Sequence, residues 1–339
     1  MIDLTATRAL GSTDLRIGSL GLGIAPLGNL YAEVSEAQAQ ATLSAAERAG
    51  IHWFDTAPYY GFGLAESRLG RFLQGAPRVP RLISTKVGRV LQPSVRAPDH
   101  EQFVAPAANQ PVFDYSSAGI ERAHADSLVR LGVDRVQVLL LHDIDRLTHP
   151  TGHRALVEGL LRDALPTLRG LKTDGVIDAI GLGINEWDVG YEMLASTQID
   201  CVLLAGRYTL LDSSAYTSGF LDACARRGVA VLAGGVFNSG FLAGGSHYDY
   251  RLADGAKRAA RESLLAICRR YAVELPAVAL QFTAAHPAIT SVVIGARSEQ
   301  EVEALVHWSR TEIPPQLWSD LRHAKLIPAQ APTGRRERE

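Results

Sequence analysis

Cysteine is scarce. Three residues, Cys201, Cys224 and Cys268, occur in a chain of 339, and no two form a Cys-x-x-Cys pair. That argues against a disulfide framework and fits a reducing, cytoplasmic compartment. Excess charge is lacking too. The formal net charge is −2 at pH 7, so the charge balance points neither to nucleic acid nor to an anionic membrane. No apolar run approaches the roughly 20 residues of a membrane span. Met1 to Leu15 has no apolar segment of the kind a signal peptide needs. The dinucleotide-binding glycine fingerprint is also missing. Gly21-Leu22-Gly23 is followed by Ile24-Ala25-Pro26-Leu27-Gly28, which breaks the G-x-G-x-x-G spacing. His142, Asp143 and Asp145, with His149 and His153 nearby, fit no standard zinc spacing, so no metal is expected. Small molecules remain as partners, with the chain a monomer or homodimer.

What is present centres on His52-Trp53-Phe54-Asp55-Thr56-Ala57-Pro58-Tyr59-Tyr60-Gly61. A short apolar strand ends here in an acid, then a proline and two tyrosines. A buried acid is costly without a partner. Leu82-Ile83-Ser84-Thr85-Lys86 reads as a second strand ending in a lysine. Val136-Gln137-Val138-Leu139-Leu140-Leu141 reads as a third, followed by His142 and Asp143. Asp, Lys and His at successive strand ends, with Tyr60 just beyond the first, predict one site at one end of a parallel sheet. In a (β/α)8 barrel that end holds the active site.

Strands are expected near 19–23, 52–54, 82–86, 136–141, 177–182, 200–204, 229–233 and 291–294. Helices are expected near 35–49, 64–74, 117–131, 154–173, 187–196, 213–227, 257–271 with 276–285, and 298–309. Ser35, with Gln38 three residues on, reads as a capping box, and Gly50 stops that helix. Eight strands alternating with helices predict an α/β fold, a (β/α)8 TIM barrel. A doubly wound open sheet is the alternative. Leu10-Gly11-Ser12-Thr13-Asp14-Leu15 predicts an N-terminal β-hairpin, and 315–325 a C-terminal helix. One barrel domain is expected over 1–327, with a flexible tail over 328–339. Two long connections, Gly88 to Tyr115 and Gly234 to Gly255, carry aromatics and follow strand ends. They read as ordered loops over the active face.

A tyrosine, with an ordinary pKa of about 10, moves a proton near neutrality when that pKa is lowered. A neighbouring ammonium lowers it, and a carboxylate keeps the ammonium charged and aimed. An imidazole can orient the reacting oxygen. Tyr60, Lys86, Asp55 and His142 supply these catalytic roles. Tyr59, Trp187 and Arg207 are candidates for the substrate pocket. Tyr59 suits packing or a pocket wall rather than catalysis, Trp187 equally suits packing at a helix start, and a pair with a loop carboxylate is the alternative for Arg207.

Asp55-Thr56-Ala57-x-x-Tyr60-Gly61, Ser84-Thr85-Lys86-Val87-Gly88 and Leu141-His142-Asp143 resemble the tetrad motifs of the aldo-keto reductases. Ala25-Pro26-Leu27-Gly28-Asn29-Leu30-Tyr31, Val112-Phe113-Asp114-Tyr115-Ser116, Leu204 to Leu211 and Phe237-Asn238-Ser239-Gly240 extend the resemblance over nearly the whole chain. It is nearest the bacterial aldose 1-dehydrogenases that act on L-fucose and related D-threo-aldoses. It implies a nicotinamide cofactor lying extended across the barrel mouth without a Rossmann domain. It also implies oxidation of an aldose's anomeric hydroxyl to the lactone. Barrels of this kind acting on pyridoxal, L-galactose or an aldehyde are alternatives, as is a nonenzymatic cofactor-sensing subunit.

The resemblance also suggests cofactor residues. Asn185 matches the asparagine that holds the nicotinamide amide. The family's Ser before it is Ile184 here, its Gln on the sixth strand is Ala205, and its stacking aromatic falls at Gly234. Tyr208 or Phe237 is the expected replacement for that aromatic. Phe237, Asn238, Gly240 and Leu242 form the next cofactor segment. Gly295, Ala296 and Arg297 resemble the turn that grips the adenosine phosphate end. Where NADP-preferring relatives carry a basic residue, this chain has Glu301, and their Glu-Asn pair is Ala304-Leu305. A carboxylate repels a 2′-phosphate and can accept hydrogen bonds from a free 2′-hydroxyl. NAD is therefore expected to be preferred. NADP is expected to bind more weakly through Arg297, since an Arg fork suits phosphate.

Overall fold

The structure, a computed structural model, describes residues 1–75, 79–100 and 102–334. The chain opens with an antiparallel hairpin, β1 (Thr7–Ala9) and β2 (Arg16–Gly18). Next come β3 (Leu20–Gly23), α1 (Glu36–Arg48), β4 (Trp53–Asp55), α2 (Leu64–Gly75) and β5 (Leu82–Val87). A second hairpin, β6 (Arg89–Pro93) with β7 (Asn109–Phe113), precedes α3 (Ser117–Leu131) and β8 (Val138–His142). Then follow α4 (His153–Gly159), α5 (Leu165–Thr173), β9 (Ala179–Ile184), α6 (Trp187–Ser196) and β10 (Cys201–Ala205). After α7 (Ser214–Thr217), α8 (Phe220–Arg226) and β11 (Ala230–Gly234) comes a third hairpin, β12 (His247–Tyr248) with β13 (Arg251–Leu252). The chain closes with α9 (Gly255–Arg270), α10 (Leu275–Ala285), β14 (Ile289–Gly295), α11 (Glu299–Arg310) and α12 (Pro315–His323).

β3, β4, β5, β8, β9, β10, β11 and β14 close into a parallel barrel, with β14 pairing back onto β3. All eight strands expected from sequence are present. Strand side chains alternate between faces. Trp53, Val138, Leu140, Leu203, Leu232 and Val293 form one cluster, which Leu10 and Ile17 of the first hairpin join. The alternate set, including Phe54, Leu139, Leu141 and Val202, packs in a second cluster with Leu43, Leu69 and Leu131 of the helices. Ser35 caps α1 as expected, its hydroxyl accepting from the Gln38 N–H at 3.2 Å.

Three expectations need correction. The helix read over 154–173 contains a π turn at Leu160–Ala164 between α4 and α5. The helix read over 213–227 breaks at Gly219, which has φ 76°. Both long connections contain hairpins rather than loops alone: β6 and β7 are five residues each and carry Pro93 and Pro111, and β12 and β13 are only two residues each. Of the expected tail, residues 335–339 lie outside the described residues. Within 328–334, the Arg322 guanidinium donates to the Ala331 carbonyl at 3.1 Å and Ala331 is buried.

Candidate active site

Strand register builds the centre of the site. Asp55 pairs with Ser84 across β4 and β5, and Lys86 lies two residues further along the same face. One Asp55 oxygen accepts from the Ser84 hydroxyl at 2.7 Å, the other from Lys86 Nζ at 2.7 Å. Lys86 also donates to the Thr56 carbonyl at 2.8 Å. Both side chains are buried, so the pair supplies the partner that a buried acid needs. Lys86 Nζ lies 4.6 Å from the Tyr60 ring centroid. The His142 ring stands edge-on to Tyr60 at 5.9 Å. The four tetrad candidates therefore meet at the C-terminal mouth of the barrel.

Gly61 fixes the backbone beside Tyr60. It has φ +61°, and an added Cβ would fall 2.4 Å from the Gly28 carbonyl oxygen. Gly61→Ala is expected to cost about 1–3 kcal/mol of stability through this strain. It should also lower turnover by shifting Tyr60. Chemical denaturation and steady-state kinetics check both. Wild-type values for both would show that the Gly28–Gly61 contact does not constrain Tyr60.

The electrostatics depart from expectation at one point. Burial, and then the carboxylates of Asp55 and Asp143, push the Tyr60 phenol well above the ordinary tyrosine value, while Arg89 opposes them. The expected value below that of free tyrosine is not found, because burial and these carboxylates outweigh the opposing charge. Burial pushes the His142 imidazole down to about 3, aided by Arg89 and Lys86 against Asp143. His142 is thus neutral across the ordinary range.

A cavity of about 1510 Å³ runs across the mouth. Its walls include Tyr59, Tyr60, Lys86, His142, Asn185, Trp187, Arg207, Gly234, Phe237, Gly240, Gly295, Arg297 and Glu301. Asn238, Leu242 and Ala296 are buried and are not among the lining residues. Tyr208 does not provide a stacking face. It is buried against Phe282, with ring centroids 5.0 Å apart, away from the cavity. Phe237 does line the cavity, packed edge-on against Trp308 of α11 at 5.6 Å. Arg207 spends its charge on Asp212 at 3.1 Å and Asp249 at 2.8 Å, so the pairing reading holds.

Sequence reasoning missed several groups. Arg89 pairs with Asp143 at 2.7 Å, and its signal was its place three residues after Lys86. Asp145 holds the β9–α6 turn, accepting from the N–H groups of Asn185 at 3.0 Å and Glu186 at 2.9 Å. Burial pushes the Asp145 carboxyl up to about 7 against the pull of these hydrogen bonds. The β12–β13 hairpin crosses the mouth as a strap. His247 stacks on Tyr31 at 4.6 Å, and the Tyr250 N–H donates to Ser239 Oγ at 2.9 Å.

The residues present fit a nicotinamide. Asn185 Nδ2 donates to Asp143 at 3.1 Å and to Asp145 at 3.3 Å. Both amide hydrogens are then used, which leaves Oδ1 as an acceptor. Tyr250 donates to it at 3.4 Å. A carboxamide N–H suits the same acceptor. Gly234 lines the cavity and presents no side chain to it. An added Cβ there would meet Leu203 at 3.3 Å.

A (β/α)8 barrel with tyrosine, lysine, aspartate and histidine converging beside a long groove defines a class of enzymes that move a proton at a carbonyl or hydroxyl oxygen. Residues 19–325 match the model of the Aldo/keto reductase family. The chain belongs to the aldo-keto reductase family and is an oxidoreductase of that family, whose members use a nicotinamide cofactor. It is 41% identical over 335 residues to a pyridoxal 4-dehydrogenase of Microbacterium luteolum, covering 94% of this chain and 97% of that protein. It is 37% identical over 330 residues to a D-threo-aldose 1-dehydrogenase of a Pseudomonas species, covering 94% and 98%. The solved holo structure of an aldo-keto reductase from Bacillus halodurans matches with TM-score 0.72 and 25% identity, covering 99% and 100% of the two chains.

Proposed function

We propose that the protein oxidises the ring carbon of a cyclic hemiacetal to a lactone, with an aldose such as L-fucose or a D-threo-aldose as substrate. The observation that carries this reading is the convergence of Tyr60, His142 and the Lys86–Asp55 pair at one point of the cavity wall. Tyr60 takes the proton of the anomeric hydroxyl. Lys86, held by Asp55, stabilises the phenolate that must form first. Neutral His142 holds the reacting oxygen in place. Asn185 and the bare wall at Gly234 would hold the nicotinamide, with Phe237, Gly240, Gly295 and Arg297 along the remainder of the cofactor. When bound, an oxidised nicotinamide supplies the hydride acceptor and a positive charge that favours the phenolate.

The relative named for pyridoxal supports a second reading. Pyridoxal carries an aldehyde beside a hydroxymethyl arm and closes to a five-membered ring hemiacetal. The chemistry at the reacting carbon is then the same. The aromatic wall of Tyr31, Tyr59, Phe103 and Trp187 favours a planar ring. A panel of aldoses, pyridoxal and simple aldehydes with each cofactor, followed by the absorbance of reduced nicotinamide, separates the readings. Turnover of open-chain aldehydes alone would overturn both.

NAD is the preferred cofactor in this reading, with NADP accepted more weakly. Glu301 accepts from the Arg297 backbone N–H at 2.8 Å and pairs with its guanidinium at 3.0 Å. The cation that would meet a 2′-phosphate is therefore already paired with a carboxylate. Glu301→Arg removes that acid and adds a phosphate fork. The ratio of kcat/KM for NAD over NADP should narrow or reverse in this variant. A wild-type ratio strongly favouring NADP would refute the assignment and transfer the role to Arg297.

A further inference from the structure

We propose that Arg89 is a positioning residue that sets the tautomer of His142. The inference rests on the reading that His142 holds the reacting oxygen. Arg89 stands at the start of β6 and is only 7% exposed. Its guanidinium lies between the rings of Tyr59 and Phe113, at 4.2 and 4.4 Å from their centroids. Stacking of this kind fixes the plane of the group. Nη1 then reaches two acceptors, Asp143 Oδ2 at 2.7 Å and His142 Nδ1 at 3.2 Å.

A guanidinium can only donate. The nitrogen that faces it must therefore present a lone pair, and the ring proton of neutral His142 sits on Nε2. Nε2 lies 3.6 Å from Asp143 Oδ2, too far for that carboxylate to take its hydrogen. The N–H remains free to donate to a substrate oxygen beside Tyr60. Arg89 also opposes a second proton on the ring. The other charged or titratable groups facing His142 are Lys86, Asp143, Tyr59 and Tyr60, and the Tyr115 hydroxyl donates to its carbonyl at 2.7 Å. Asp143 is shared, since its second oxygen accepts from Asn185 Nδ2 at 3.1 Å. The Arg89–Asp143 pair thus ties the ring that holds the substrate oxygen to the amide that would hold the cofactor. Arg89 acts through His142 and touches no reacting atom.

The test is NMR of protein carrying nitrogen-labelled histidine. His142 is assigned by the signal lost in His142→Gln and followed from about pH 5 to about pH 8. Wild-type protein should show one neutral form with the proton on Nε2 throughout. In Arg89→Met the tautomers should mix and the titration should move up towards the ordinary histidine range. The kcat of that variant should fall about tenfold or more while KM changes far less. Arg89→Lys keeps a cation for Asp143 without the planar fork and should shift the spectrum in the same direction. If Arg89→Met does not fold, the wild-type tautomer and the Lys variant decide. A wild-type ring protonated on Nδ1, or an unchanged His142 spectrum in the folded Arg89 variants, would overturn the proposal. The spectra do not depend on which substrate is turned over, so failure of the lactone reading and failure of this one are told apart.

Discussion

Tyr60→Phe is expected to lower turnover by about a hundredfold or more, the lower end for loss of a general acid–base group. The change removes the proton acceptor and leaves the ring against Lys86. Cofactor affinity should barely move. Tyr59→Phe is the control and should cost little, because Tyr59 hydrogen-bonds His100 at 3.0 Å rather than a tetrad residue. The pH profile carries the sign. Burial and two carboxylates raise the Tyr60 phenol, so the deprotonated acceptor grows as pH rises. Oxidation should therefore accelerate on the alkaline side, and the reverse reduction should favour lower pH. His142, held at about 3, adds no acid limb near neutrality. Retained turnover in Tyr60→Phe, or an oxidation rate flat into alkali with chemistry limiting, contradicts the assignment.

Lys86→Met is expected to destabilise the fold by about 3–5 kcal/mol. Breaking a buried ion pair leaves an uncompensated buried charge. Asp55 would keep only the Ser84 hydroxyl of its two hydrogen-bonded partners. Replacing Asp55 in the same protein by Asn removes the orphaned charge, so the double variant should regain part of the loss. Denaturant midpoints of the two single variants and the double variant measure the coupling. Activity should fall independently of stability. Without the ammonium 4.6 Å from the Tyr60 ring centroid, the phenolate loses a counter-charge and the alkaline limb should move further up. An undiminished midpoint in Lys86→Met would mean the pair carries no net stability. An unmoved pH profile would mean Lys86 does not act on Tyr60.

The barrel was legible because each strand is a short apolar run bounded by turn residues and followed by a helix period. The convergence of the tetrad candidates was legible because Asp55, Lys86 and His142 each end such a run. Arg89 was not, since a cation after a strand looks solvated until Tyr59 and Phe113 are seen to stack on it from separate segments. The strap was equally hidden. His247–Tyr248 and Arg251–Leu252 are only two residues each, and their pairing is set by contacts to Tyr31, Asn185 and Ser239 far away in sequence. Tyr208 was misjudged because its position after β10 suggests the mouth. Its backbone instead turns the ring towards Phe282 and His286 of α10 and its end. The pKa of Tyr60 was misjudged for a related reason. Sequence shows which charges lie near one another along strands, but not how deeply the phenol is buried beside them.

The central claim is that the hydride leaves the ring carbon of a hemiacetal. The most direct measurement compares L-fucose with its methyl glycoside, in which the anomeric oxygen is blocked, under the same cofactor. Absorbance reports reduced nicotinamide, and mass analysis identifies the product. The expected result is reduced cofactor and the lactone in equal amounts from the free sugar, and none from the glycoside. Cofactor reduction with the glycoside, or a product other than the lactone from the free sugar, would contradict the account.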